Sequence, residues 1–169
     1  MLSEEYQLSF PEPEFKRRNP DGSLDMESLL KEFRKFRRRH ADAWELKADD
    51  TEAFPHFLAM VLLKRVINGG GGVEREYALG GGRVDLAIED GGTRAVVEIK
   101  LVHPTDGREG AKLEGIAQTN RCRTVIKRKA LACLIFFDRT PAGRKKSREE
   151  RTTWEVVTTE HGKMIVVGG

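Results

Sequence analysis

The stretch GGRVDLAIEDGGTRAVVEIKLV, residues 81–102, limits the possible folds more than any other part of the chain. In RVDLAIE the apolar Val84, Leu86 and Ile88 alternate with Arg83, Asp85 and Ala87, the period-2 pattern of a strand with two different faces. Asp90-Gly91-Gly92 follows, and Gly and Asp tolerate the positive φ that tight hairpin turns demand. TRAVVEIKL then returns as a second strand. With Asp90-Gly91 as the loop, Asp85 stands opposite Val96 and diagonal to Glu98. With Gly91-Gly92 as the loop, it stands directly opposite Glu98. Both two-residue loops put Asp85, Val96, Glu98 and Lys100 on one face; a three-residue loop would break that parity.

Two carboxylates held side by side repel unless a cation or a proton lies between them. An all-oxygen pair suits Mg²⁺ or Mn²⁺, which keep several waters and bind through one or two carboxylates plus substrate phosphate. Such a metal lowers the pKa of a bound water and offsets charge in phosphodiester hydrolysis. Lys100, two residues from Glu98 on the same face, is placed to orient that water or to neutralise the scissile phosphate. The competing reading is a solvated sheet face carrying a Glu–Lys pair, because 34% of the chain is charged and a D…ExK string arises readily in that composition. Against it, Val96, Val97, Ile99 and Leu101 make this strand apolar on both faces.

The pattern predicts a helix over 51–67, strands over 73–79, 83–89 and 94–101, a helix over 109–128 and a strand over 131–137. This order resembles the αβββαβ core of the PD-(D/E)xK nuclease superfamily. The resemblance implies an α/β, restriction-endonuclease-like fold with a mixed sheet flanked by helices. It also implies an acidic residue on the first helix (Glu52), Asp on the second strand (Asp85), (D/E)xK on the third (Glu98-Ile99-Lys100) and Gln on the next helix (Gln118). Val84 stands where the family's name has Pro. In that scheme Asp85, Glu98 and Glu52 bind Mg²⁺ (or Mn²⁺), the Ile99 carbonyl completes the shell, Lys100 activates water and Gln118 supports the site. Glu52 also reads as ordinary acidic chemistry at the start of a helix that Thr51 could cap. Glu74 and Glu76 are rivals for the third acid, and Gln118 also reads as an exposed helix amide.

A closer resemblance covers nearly the whole chain. TEAFPHFLAMVLLKRVINGGGGVEREYALGGGRVDLAIE, GIAQTNRC, LIFFDRTP and TTWEVVTTEHGKMIVVGG are similar, in order and spacing, to the C-terminal region of a family of bacterial and archaeal AAA-type ATP-binding proteins. There an ATPase module precedes a winged helix and a PD-(D/E)xK domain, which implies an ATPase module encoded elsewhere as a partner. Gly81-Gly82 stands where Arg is common in that family, and Asp50 where an aromatic is usual. The resemblance admits activity as a DNA nuclease, a catalytically inactive nucleic-acid-binding or regulatory module of such an ATPase, or a folded remnant.

At 169 residues the chain has room for one domain, expected over 23–169 behind a linker-like, proline-bearing segment 1–22. The helix expected over 25–46 opens at Asp25 as N-cap and carries Met26, Leu29, Leu30, Phe33 and Phe36 at helical spacing, a stripe suited to packing on the core. LACLIFF reads as a buried central strand, TPAGRKKSREER as a charged loop, and WEVVTT with KMIVV as an added C-terminal hairpin turning at Glu160-His161-Gly162. NGGGG at 68–72 lacks the Lys and hydroxyl of a phosphate loop, so ATP hydrolysis is not expected. Cys122 and Cys133 have no C-x-x-C spacing and read as reduced thiols, and the four histidines form no ligand pattern. The absence of a long apolar run or a secretory signal points to a cytoplasmic protein. Net charge is only +3, but basic residues cluster at 34–39, at 121–129 and at 144–151, patterns that suit DNA backbone contact or a solvated face equally.

Overall fold

A computed structural model describes residues 18–39, 72–79 (backbone), 82–90, 92–105, 107–125, 130–138 and 140–168. Its elements are helix α1 (Met26–Arg39), strands β1 (Gly72–Leu79), β2 (Gly82–Asp90) and β3 (Thr93–Val102), helix α2 (Gly107–Val125), strand β4 (Leu131–Asp138), one-turn helices α3 (Pro141–Arg144) and α4 (Arg148–Arg151), and strands β5 (Trp154–Thr159) and β6 (Gly162–Gly168). The strands form one mixed, open sheet in the order β1-β2-β3-β4-β6-β5. β1, β2 and β3 are antiparallel neighbours, β3, β4 and β6 run parallel, and β5 closes the far edge antiparallel to β6. The fold is therefore α/β, with helices on both faces of a mixed sheet. The helix expected over 51–67 and residues 40–46 lie outside the described residues.

Alternation along β3 and β4 divides the core in two. Ala95, Val97, Ile99, Cys133, Ile135 and Phe137 pack with α1, while Val96, Val102, Ala132, Leu134 and Phe136 pack with α2. Both strands are thus covered on each side, which is why LACLIFF is continuously apolar. α1 docks through the expected stripe, all of it at most 2% exposed, with Phe33 edge-on to Phe137 at 6.5 Å between ring centres. Asp25 caps α1 as expected: its carboxylate accepts the Ser28 N–H at 3.0 Å.

Segment 18–24 is tied to the β2–β3 hairpin. Arg18 pairs with the buried Asp90 at 2.8 Å, and the Leu24 N–H donates to Thr93 Oγ1 at 2.7 Å. The stretch expected as a plain charged loop instead holds α3 and α4. Thr140 caps the first and accepts from Gly143 N–H; Ser147 and Glu150 form a reciprocal capping box on the second. Thr-Pro and Ser-x-x-Glu are the sequence signals for these turns.

Candidate active site

The β2–β3 hairpin closes at Asp90↔Thr93, leaving residues 91–92 as its loop, with Gly92 at φ +78°. That is the Gly91-Gly92 alternative, and it sets Ala87 opposite Val96 on the α2 face. One pair further, Asp85 would stand opposite Glu98. The pairing instead stops at Leu86↔Val97. On its other side the β1–β2 register passes from Arg75↔Leu86 to Tyr77↔Val84, skipping the step at Glu76 and Asp85. Asp85 is therefore the point where the sheet loosens, and its side chain bridges the gap: Oδ2 accepts the Ile99 N–H at 2.7 Å. A residue's N–H and C=O leave a strand on the same edge, so the Ile99 carbonyl also points toward β2. Alternation breaks here too. Val84, expected on the face of Leu86 and Ile88, packs instead with Val96 and Cys122 in the α2-side core, because the strand turns where the ladder opens.

Glu98 and Lys100 lie on the α2 side of β3, level with Leu134 and Phe136 of β4. Glu98 is 2% exposed. Lys100 is partly exposed, and its Nζ reaches Glu114 Oε1 on α2 at 3.0 Å. The helix comes this close because residue 115 is glycine. A Cβ there would stand 2.7 Å from Leu134 Cδ1 and 3.2 Å from Lys100 Cγ.

α2 has three distinct sides. Ala111, Gly115, Thr119 and Cys122 face the sheet. Lys112, Asn120 and Arg123 reach β5 and β6, through Glu155, Thr159 and the Lys163 carbonyl. Another flank holds Glu114, Gln118 and Arg121 at i, i+4 and i+7, and its Glu114 meets β3 at Lys100. The helix passes from Lys100 at Gly115 to β2 at Cys122, whose Sγ lies 3.5 Å from the Arg83 carbonyl. Gln118, between these two points along the helix, is half-buried.

Cys122 feels both carboxylates. Burial pushes its thiol pKa up; the Glu98 carboxylate pushes it further, Arg121 opposes, and Asp85 adds to the rise. Both carboxylates thus act on one buried sulfur. Asp85 meets Ile99 directly, Glu98 and Lys100 share one face of β3, and Gln118 lies half-buried on α2. Glu52 lies outside the described residues. Glu76 occupies the register position beside Asp85, with Glu74 opposite Ala87. Among the described residues no three His, Cys, Asp or Glu side chains form a metal-ligating group. Asp85 and Glu98 nonetheless fit a hard divalent cation as donors, being two carboxylates at neighbouring strands beside a carbonyl edge. Sequence reasoning missed Glu114, Gly115 and Cys122; the glycine inside a helical run was the one available signal.

The α1 basic cluster is largely used within the fold. Lys31 and Arg34 lie over the Trp154 ring at 5.6 and 5.7 Å, Arg37 over Phe137 at 4.6 Å, and Arg38 donates to Thr152 Oγ1 at 2.5 Å. Among the described residues no helix is long and apolar enough to cross a membrane. No family model, curated protein or solved structure matches the chain.

Proposed function

We propose that this chain is a restriction-endonuclease-like domain of the PD-(D/E)xK type that hydrolyses DNA phosphodiester bonds with Mg²⁺ or Mn²⁺. The observation that supports this is Asp85 reaching from the point where β2–β3 pairing stops to the Ile99 N–H, between Glu98 and Lys100 in sequence on β3. A plain structural hairpin has no need of a gap bridged by a carboxylate. Asp85, Glu98 and the Ile99 carbonyl would hold the cation, with Glu52 as the third acid. A bound divalent ion would supply a lowered water pKa and charge neutralisation at the phosphate.

Lys100 is suited to the remaining work. Its partner Glu114 is 61% exposed, and an ion pair so open to water contributes about 0–1 kcal/mol. The ammonium can therefore leave Glu114 for a substrate phosphate or an attacking water at small cost. Gln118, on the same helix flank, would hydrogen-bond the scissile region or the water. The resemblance to AAA-type proteins adds an ATPase module as partner.

A second reading, a nucleic-acid-binding or regulatory module without cleavage, is favoured by the burial of Glu98, which leaves that carboxylate little access to solvent. Incubation of supercoiled plasmid with Mg²⁺, Mn²⁺ or chelator separates the two. Nicking that needs metal supports the nuclease; no nicking by folded protein that still retains DNA supports the binding module.

A further inference from the structure

The parallel strands β3 and β4 end level with each other, at the register pair Val102↔Asp138. Open α/β sheets take up ligands outside the carboxyl ends of their strands. A cleft of about 390 Å³ opens at this end, between the loop that follows β3 and helix α3. Its size suits a small ligand. Leu101, Val102, Pro104 and Pro141 give it apolar walls, and His103, Thr140 and Arg144 supply its polar groups. Among the described residues no Asp or Glu lines it.

The walls are fixed by contacts that have no part in the Asp85–Glu98–Lys100 centre. The buried Asp138 accepts the Thr140 N–H at 3.2 Å and the Thr140 hydroxyl at 2.6 Å, and Thr140 Oγ1 in turn accepts the Gly143 N–H at 3.0 Å. Gly143 lies so close that a Cβ there would overlap the Asp138 carboxylate, so the turn that carries Arg144 is held down on the end of β4. Across the cleft the Gly107 N–H donates to the His103 carbonyl at 3.2 Å and closes the loop after β3, where Pro104 restricts the backbone. The charge of Asp138 is turned inward: the residue is 6% exposed and faces Arg108 at 3.7 Å. What remains is an apolar cleft carrying an exposed guanidinium and an exposed imidazole.

We infer that this cleft binds a nucleotide through its phosphate monoester, with the phosphate on Arg144 and His103 and the base and sugar against Leu101, Pro104 and Pro141. The planar fork of Arg144 matches phosphate oxygens two at a time. Its five donors let it take up an anion while keeping its interaction within the fold. The His103 ring adds an N–H donor. Apolar walls beside such groups favour an anion with an apolar body over a bare one. This adds a binding site to the nuclease reading and rests on that reading only for the choice of a nucleotide among such anions.

The test is isothermal titration of the full chain, in chelator so that nothing is cleaved. Deoxyadenosine monophosphate, deoxyadenosine and inorganic phosphate are titrated into wild type, Arg144→Ala, Arg144→Lys and Lys145→Ala, with thermal melts confirming each fold. Wild type should bind the monophosphate more tightly than either fragment. Arg144→Ala should weaken that binding by about tenfold or more, the loss of a charge-assisted hydrogen bond. Arg144→Lys should recover part of it, and Lys145→Ala should bind as wild type. Short DNA strands with a phosphorylated or an unphosphorylated 5′ end separate two sources of the ligand. A preference for the phosphorylated strand that Arg144→Ala abolishes supports the site as a seat for a strand end. Equal affinity for the two strands, beside Arg144-dependent binding of the monophosphate, supports it as a seat for a free nucleotide. No saturable binding of the monophosphate by wild type, binding unchanged in Arg144→Ala, or equal loss in Lys145→Ala overturns the site. Arg144-dependent binding by a protein that does not nick plasmid with metal refutes the nuclease reading alone, and metal-dependent nicking without nucleotide binding overturns the site alone.

Discussion

Asp85 makes one structural hydrogen bond that can be separated by substitution from the metal-binding role proposed for it. Its Oδ2 receives the Ile99 N–H at 2.7 Å, and Ile99 is 4% exposed, so that N–H has little water to turn to. Asp85→Ala removes the acceptor and leaves a buried donor unmet, which costs about 1–3 kcal/mol. Asp85→Asn keeps an oxygen at the same distance. Both variants delete the same negative charge beside Glu98, so electrostatic relief cancels when they are compared with each other. Asp85→Ala should therefore be less stable than Asp85→Asn by about 1–3 kcal/mol, which at this chain length is about 2–4 °C of melting temperature per kcal/mol. Urea denaturation followed by circular dichroism measures the difference. Both variants should also lose cleavage, because an amide does not replace a carboxylate as a metal ligand. Equal stability of the two would refute the claim that Asp85 bridges the opening in the sheet.

Two further outcomes follow from the packing. Gly115→Ala gains up to about 1 kcal/mol of helix propensity but drives a methyl to 2.7 Å from Leu134, which is fully buried. Overpacking of that kind costs about 1–3 kcal/mol, so denaturation should show net destabilisation and cleavage should fall as Lys100 is displaced; full capture of the propensity gain would contradict it. Cys133 is enclosed in the core, and burial pushes its thiol from 9.0 up to about 12. The unfolded thiol ionises first, so its contribution to stability is intact below pH 9 and lost as pH rises from 9 toward 12. The stability difference between wild type and Cys133→Ala should shrink over that range, and a constant difference would contradict it.

Much of this arrangement was legible in the residues. The stripe of α1 and the continuous apolar run of β4 encode their burial through spacing alone, and Asp25 encodes the helix start. Parity placed Glu98 and Lys100 on one face because a strand's period is fixed by its backbone. What alternation could not foresee is the interruption at Asp85. It arises because a side chain, and not a backbone carbonyl, meets the Ile99 N–H, a tertiary event that leaves no periodic trace. Val84 changes face for the same reason. The density of arginines on α1 was misleading for a related cause: charge patterning does not say which cations are already engaged, and Trp154 and Thr152 are more than a hundred residues away in sequence. Asp90, read as a turn residue, is also the buried partner of Arg18.

The most direct test of the Asp85–Glu98–Lys100 centre is single-turnover cleavage of a DNA duplex by wild type, Lys100→Ala and Glu98→Gln, in Mg²⁺ and in Mn²⁺, with DNA affinity measured on the same samples. A nuclease centre predicts metal-dependent cleavage by wild type and a drop of about 10²-fold or more in each variant, with affinity in chelator little changed. Cleavage by Lys100→Ala at the wild-type rate, or none by a folded wild type that binds the duplex, would contradict it.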